Sequence, residues 1–220
     1  MAIILLYNSL VMAAGYQIMA SLVTIFEETY HYNDIQIGLC YLPYGAGAVI
    51  GSYFGGRLLD WNLRRLGQKS GYNVDRRDES PESLAFPWEK ARLQVIAPVS
   101  LMATILIICY GWVIQSETNV AGPLVLQLFI GLTSTTGMNA FSVMLVDSYP
   151  TRSAPASAAN NFTRCLLGAG ATAAIQPMLE SMGRGGCFSF VGGVLLLVSP
   201  LMWVLVKFGP EWRRQRFLRK

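Results

Sequence analysis

Four groups of polar residues interrupt an otherwise apolar chain, and their types and spacing limit the chemistry they can do. Asp60 stands as one acid among the guanidinia of Arg57, Arg64 and Arg65. Gly131, Thr135, Asn139 and Ser142 recur at i, i+4, i+8 and i+11, which on a helix is a single polar stripe, and the stripe ends at Asp147. Asn160, Asn161 and Arg164 open a further segment that continues in the small run Gly168-Ala169-Gly170-Ala171. Gln17, Ser21 and Thr24 share one face of the first segment. Such groups can pair ions, hydrogen-bond and line a polar path, but they do not form a nucleophile and its base. The single histidine, His31, lies in a short connection, and no HExxH, GxSxG or metal-spaced cluster occurs. Cys40, Cys109, Cys165 and Cys187 show no CxxC spacing and read as small apolar packing residues. The stretch Gly45 to Gly51 misses the dinucleotide fingerprint by one residue and follows no strand. The expectation is a non-enzymatic protein with no cofactor and no metal.

The elements that must position these residues follow from composition. Of 220 residues, 53% are hydrophobic and 14% charged, against roughly 25% charged in a soluble domain. Apolar runs of helix length cover 2–26, 35–59, 93–115, 122–146, 156–182 and 187–208. A helical span of the hydrocarbon core takes about 20 residues. Lipid forces each span to satisfy its own backbone, and nothing shows the roughly ten-residue dyad pattern of a barrel. The predicted fold class is therefore an all-α membrane protein, a single bundle of six transmembrane helices. The first run lacks the positive n-region of a secretory signal and reads as a span.

Charge placement orients the bundle. No Lys or Arg precedes Arg57; eight lie from Arg57 to Arg92 and six from Lys207 to Lys220, with Arg152, Arg164 and Arg184 completing the 17. Basic clusters beside apolar spans mark the cytoplasmic side. The 60–92 loop, the 209–220 tail and both termini are thus expected inside, with Arg184 the one basic residue outside. The net charge of +4 is absorbed by this asymmetry, and no nucleic-acid partner is implied. The acidic and basic run 75–83 predicts a mobile link. Phe86-Pro87-Trp88 through Arg92 reads as an interfacial anchor for the third span.

Within the spans each polar group has two readings. Asp60 is either part of a positive-inside anchor or one half of an interhelix latch, since a carboxylate at the membrane edge needs a partner. Asp147 and Arg164 read first as structural pairing, Asn139 first as pathway lining. Asn8 lies nine residues from Gln17, half a turn round, so either it faces a neighbouring helix or the segment is broken or rotated near Gly15. Tyr41, Pro43 and Tyr44 supply aromatic surface and a bend. Gly47, Gly51 and Gly55 at four-residue spacing make a bare groove suited to close helix packing.

The run Gly38-Leu39-Cys40-Tyr41-Leu42-Pro43-Tyr44-Gly45-Ala46-Gly47, continuing through Gly51-Ser52 to Gly56-Arg57-Leu58-Leu59-Asp60-Trp61, resembles fungal drug:proton antiporters of the major facilitator superfamily. Phe86-Pro87 with Glu89-Lys90-Ala91-Arg92, and Leu145-Val146-Asp147 through Asn160-Asn161 to Arg164-Cys165-Leu166-Leu167-Gly168-Ala169-Gly170-Ala171 and Pro177, are similar to them as well. The order matches the carboxyl-terminal six helices of a twelve-helix transporter in the quinidine-resistance and dityrosine-exporter branch. The resemblance implies multidrug export against proton entry by alternating access, in a lipid bilayer, at the plasma membrane. It implies a cytoplasmic latch using Asp60, Arg57 and Arg64, with Asp147 and Arg164 as partners. It implies a substrate cavity touching Gln17, Tyr41, Asn139 and Asn160, and close packing of the fifth helix at Gly168 and Gly170. One bundle makes one wall of such a cavity, so a missing amino-terminal bundle or a homodimer mate is the implied partner. The alternative is a non-transporting membrane protein that binds or regulates a full-length transporter.

Overall fold

The computed structural model describes residues 2–70, 88–148 and 153–202. The expected mobile link with its 75–83 run, Arg152, and the basic tail lie outside the described residues. Among the described residues the chain is helical and has no strand. The elements are α1 (Ala2–Tyr30), α2 (Asp34–Cys40), α3 (Leu42–Ser70), α4 (Trp88–Gln115), α5 (Ala121–Ser148) and α6 (Ser153–Val198). Five of the helical stretches are long and apolar enough to cross a membrane.

The helices run past the apolar limits read from hydropathy. α3 continues to Ser70 because Leu59, Asn62 and Leu63 stay buried on one face while Asp60, Arg64 and Arg65 stay exposed on the other. That amphipathic turn carries the helix beyond the end of its apolar run. The second apolar run holds two helices: Asn33 N–H donates to Gln36 Oε1 at 3.0 Å to start α2, and Tyr41 alone separates α2 from α3. α1 is continuous through Gly15.

α6 is the element that apolarity and helix geometry divide between them. Its 46 residues are two helices joined at Gly183, whose φ of 71° and ψ of 171° belong to a region essentially reserved for glycine. Side-chain contacts show that the chain reverses there. Along the first arm, 153–182, Asn8 meets Asn160 and Gln17 meets Ala171, so this arm is parallel to α1. Along the second arm, 184–198, Trp112 Nε1 donates to Ser189 Oγ at 3.0 Å and Gly192 abuts Ile108, so this arm is antiparallel to α4. The reversal is pinned by Arg184, which donates to Thr29 Oγ1 at 2.6 Å and pairs with Glu28 at 3.2 Å, and by Gly185 N–H donating to Gln115 Oε1 at 3.0 Å.

Lipid gives little hydrophobic drive for helix association, so close packing and polar contacts must supply it. α3 and α5 meet along a seam where Gly47, Gly51 and Gly55 face Leu128, Leu132 and Thr136, while Gly131 faces the Tyr44 carbonyl. A Cβ at Gly47 or Gly51 would strike the Leu128 or Leu132 backbone. Thr136 Oγ1 donates to Gly51 O at 3.1 Å across the same seam. Elsewhere Gly168 receives the Tyr16 ring, whereas a Cβ at Gly170 would meet nothing within 4 Å. The expected packing role of Gly170 is therefore not found within this bundle, because its position on α6 is exposed. The core is completed by Ile18, Leu22, Phe26, Ile107, Ile114, Phe141 and Phe188, and by Tyr110, whose Oη accepts from Gln127 Nε2 at 3.1 Å.

Gly51→Val should push α3 off α5 and cost about 1–3 kcal/mol of stability. Gly183→Ala should cost about 1–3 kcal/mol through its backbone angles, while Gly170→Ala should be neutral or stabilising by up to about 1 kcal/mol. Melting midpoints of the purified chain in one detergent check all three.

Candidate functional site

At the end of the bundle opposite Gly183, three helices meet on one guanidinium. Arg92 sits in the first turns of α4 with its side chain 4% exposed, and its Nη2 lies 3.2 Å from Asp147 Oδ2 on α5, whose side chain is 3% exposed. Arg92 Nε donates to the same oxygen at 3.3 Å. Its Nη1 stands 3.8 Å from Asp60 Oδ1 on α3, where the carboxylate is 72% exposed. Nη1 is buried and makes no hydrogen bond. The cluster is thus tight toward Asp147 and loose toward Asp60. Removing one member of a buried pair leaves an uncompensated charge, so the arrangement is an ionic tie between α4 and α5 with an outer strand to α3 that can open cheaply.

The residues expected to form a latch are only partly brought together. Asp60 and Asp147 share Arg92. Arg57 lies instead over the Tyr53 ring, 4.3 Å from its centroid, and Arg64 is exposed on the outer face of α3. Arg164 joins no carboxylate among the described residues: its Nη1 lies 3.5 Å from Met138 Sδ and its Nε is buried without a partner. Met138 is nine residues from Asp147, about 13 Å along α5, too far for the pairing expected from sequence. Arg92, the centre of the cluster, reads in sequence as an interfacial anchor. Its position one residue before an apolar run hides the fact that a carboxylate from α5 covers it. The signal that could have found it is Asp147 itself, a carboxylate at the end of a span that required a cation on a neighbour.

The expected cavity residues are mostly committed to other helices. Asn8 Nδ2 donates to Asn160 Oδ1 at 2.8 Å, with both side chains buried. Gln17 Nε2 donates to Ala171 O at 3.2 Å, and Tyr41 Oη donates to Met19 O at 2.9 Å. Asn8 and Gln17 therefore both reach the first arm of α6 from an unbroken helix, the longer Gln17 side chain by bonding a main-chain carbonyl. Asn139 is half-buried on α5. A pocket of about 340 Å³ lies between α5 and α6, lined by Ser142, Val143, Leu145, Val146, Ser157, Asn160 and Asn161.

The sequence profile of the Major Facilitator Superfamily matches residues 1–173. The chain belongs to the Major Facilitator Superfamily. With five helical stretches able to cross a bilayer, this superfamily chain is a multi-pass integral membrane protein. It is 36% identical over 207 residues to MFS-type transporter phiL of a fungal species, covering 92% of this chain and 49% of that protein. It is 34% identical over 212 residues to MFS-type transporter R5 of a Phoma species, covering 96% of this chain and 40% of the relative. Citrate exporter 1 of Aspergillus niger is 34% identical over 218 residues, 97% of this chain and 41% of that exporter. The chain thus spans half or less of the length of these relatives. No solved structure matches it.

For this superfamily bundle the ionic tie makes a graded prediction. Asp147→Asn should cost about 3–5 kcal/mol by stranding Arg92, whereas Asp60→Asn should cost less than about 1 kcal/mol because its carboxylate is exposed. Arg92→Met with Asp147→Leu should recover much of the loss. Equal losses for the two single variants in thermal unfolding would contradict this ranking.

Proposed function

We propose that the chain is one six-helix half of a secondary transporter that exports small organic molecules or drugs by alternating access, driven by proton entry. The observation that carries the reading is the Asp60–Arg92–Asp147 cluster, which ties three helices of a Major Facilitator Superfamily bundle at the end where basic residues gather. Alternating access needs an ionic contact at one end that holds in one state and parts in the other. A pair with one buried and one exposed acid on a shared guanidinium has that property, since the exposed contact costs little to break. Asp60 with Arg92 is the gate and Asp147 its anchor; Arg57 and Arg64 add positive field around it.

With the two arms of α6 read as separate spans the proposed bundle has six, and the positive-inside bias of the basic residues around α3 and α4 supports a cytoplasmic assignment for that end of the bundle and for both termini. The plasma membrane is the proposed location. Proton coupling rests on the likeness of the 38–61, 86–92 and 145–177 blocks to fungal drug:proton antiporters. The relative named Citrate exporter 1 supports export of a small organic solute. The cavity is closed by a second bundle, either the amino-terminal half of a longer protein or a second copy of this chain.

Proteoliposomes test this with the chain alone, as a homodimer, and with the amino-terminal half of a full-length relative. In at least one preparation a proton gradient should drive flux of ethidium or citrate, and a protonophore should abolish it. Absence of gradient-driven flux in every preparation would remove the transporter reading, and co-purification with a full-length transporter would then support a regulatory role. For the gate, Asp60→Asn should raise the labelling rate of a Ser142→Cys probe by a membrane-impermeant thiol reagent. Unchanged labelling would count against Asp60.

A further inference from the structure

Among the described residues Arg164 is a half-buried charge that meets no carboxylate. It lies eight residues beyond Ala156, about 12 Å along the first arm of α6, well inside an apolar segment. The other buried or half-buried guanidinia among the described residues each have an acid: Arg92 holds Asp147 and Asp60, and Arg184 holds Glu28. Among the described residues Arg164 has the Met138 thioether, 3.5 Å from Nη1, and its Nε is buried with no partner. Thioether sulfur is a weak acceptor. A cation within a span is expensive and ordinarily paired, or else turned toward a cavity where a ligand or water completes it.

The cavity is adjacent. Asn160 and Asn161, one turn before Arg164, and Ser142, one turn after Met138, line the 340 Å³ pocket together with Ser157. α5 and the first arm of α6 run in opposite directions, with Met138 against Arg164 and residues 142–146 facing residues 157–161, so Arg164 and Met138 stand at one level and the hydroxyls and amides at the next, toward the Arg92 cluster. The volume falls at the small end of the roughly 300–1,000 Å³ of small-molecule sites. The lining is mostly apolar, with Val143, Leu145 and Val146 beside two hydroxyls and two amides and no carboxylate, and Arg164 stands one turn beyond Asn160 and Asn161; that combination matches a small organic body carrying a negative charge. A guanidinium binds a carboxylate through two parallel N–H donors. A cationic drug would find there a like charge and no counter-ion.

We infer that Arg164 and the adjoining Ser142/Asn160/Asn161 pocket form a binding site for small organic anions, with the Arg164 guanidinium holding a ligand carboxylate. Arg164 thereby leaves the latch suggested by sequence and becomes a specificity-determining residue of the cavity. The inference rests on the transporter reading for its purpose, but its binding step can be measured without flux.

The probes are citrate and succinate as carboxylates, glycerol as a neutral control and tetraphenylphosphonium as a cation, titrated against the purified full chain. The melting midpoint is followed by intrinsic tryptophan fluorescence at constant ionic strength set with sodium chloride. Carboxylates should raise the midpoint saturably, and glycerol and tetraphenylphosphonium should not. Arg164→Gln should raise the half-saturating carboxylate concentration at least about tenfold, the loss expected for one charge-assisted contact. Arg164→Lys should fall between, because it keeps the charge and loses the fork. Should Arg164→Gln fail to fold, Arg164→Lys and the exposed pocket variant Asn161→Leu, each expected to weaken binding severalfold, carry the test. Carboxylate titrations unchanged in the variants that fold, or saturable binding of tetraphenylphosphonium instead, would overturn the inference. Arg164-dependent carboxylate binding with no gradient-driven flux would overturn transport and leave the site; flux of ethidium without carboxylate binding would do the reverse.

Discussion

A guanidinium withdrawn from water is costly unless it is paired, and in this bundle the withdrawal of Arg92 decides which helices share an end. Its side chain is almost fully covered, so the start of α4 is held wherever a carboxylate can reach it. Asp147 brings the end of α5 there and Asp60 brings α3 alongside. The remaining polar contacts at this end obey the same requirement at lower stakes. Asn8 Nδ2 donates to Asn160 Oδ1 across α1 and α6, and Ser9 Oγ donates to Thr163 Oγ1 at 3.2 Å one residue along. An apolar surrounding makes each of these contacts a positional constraint, because the competing state is an unsatisfied group.

Shape completes what charge begins. The glycine seam lets the α3 backbone approach that of α5, which maximises dispersion contacts where no hydrophobic drive exists. The opposite face of α3 carries Val49, Tyr53, Phe54 and Trp61 outward, each more than half exposed. One helix thus has a face cut for its neighbour and a face suited to lipid or to another bundle. At the far end the turn at Gly183 is held by Arg184, Glu28, Thr29 and Gln115, so α1, α4 and α6 are gathered there by polar contacts of a different composition.

Much of the helical content was legible because lipid leaves few choices. An apolar run of about 20 residues is a helix or nothing, and the four-residue spacing of Gly47, Gly51 and Gly55 already described a packing face. The break between the apolar runs 156–182 and 187–208 likewise marked the division of α6. Helix ends were less legible. Hydropathy reports where the apolar run stops, whereas α3 goes on as long as Leu59 and Leu63 have a surface to cover. Candidate site residues were legible as types and only partly as partners: Asp60 and Asp147 were recognised as needing cations, with Arg57, Arg64 and Arg164 as the expected ones, whereas the guanidinium that reaches both acids is that of Arg92.

The sequence by itself determined an all-helical membrane chain, the asymmetry of its basic residues, the small-residue faces and the reversal near Gly183, since each depends on local composition or on backbone angles within a few residues. Tertiary structure alone decided that Arg92 serves two acids, that Asn160 accepts from Asn8, and that Arg164 stands against the Met138 thioether beside a pocket. Those outcomes depend on which faces of α3, α4, α5 and α6 are turned together. Side chains 26 to 152 residues apart in the chain have no common period, and only the packed helices bring them within reach.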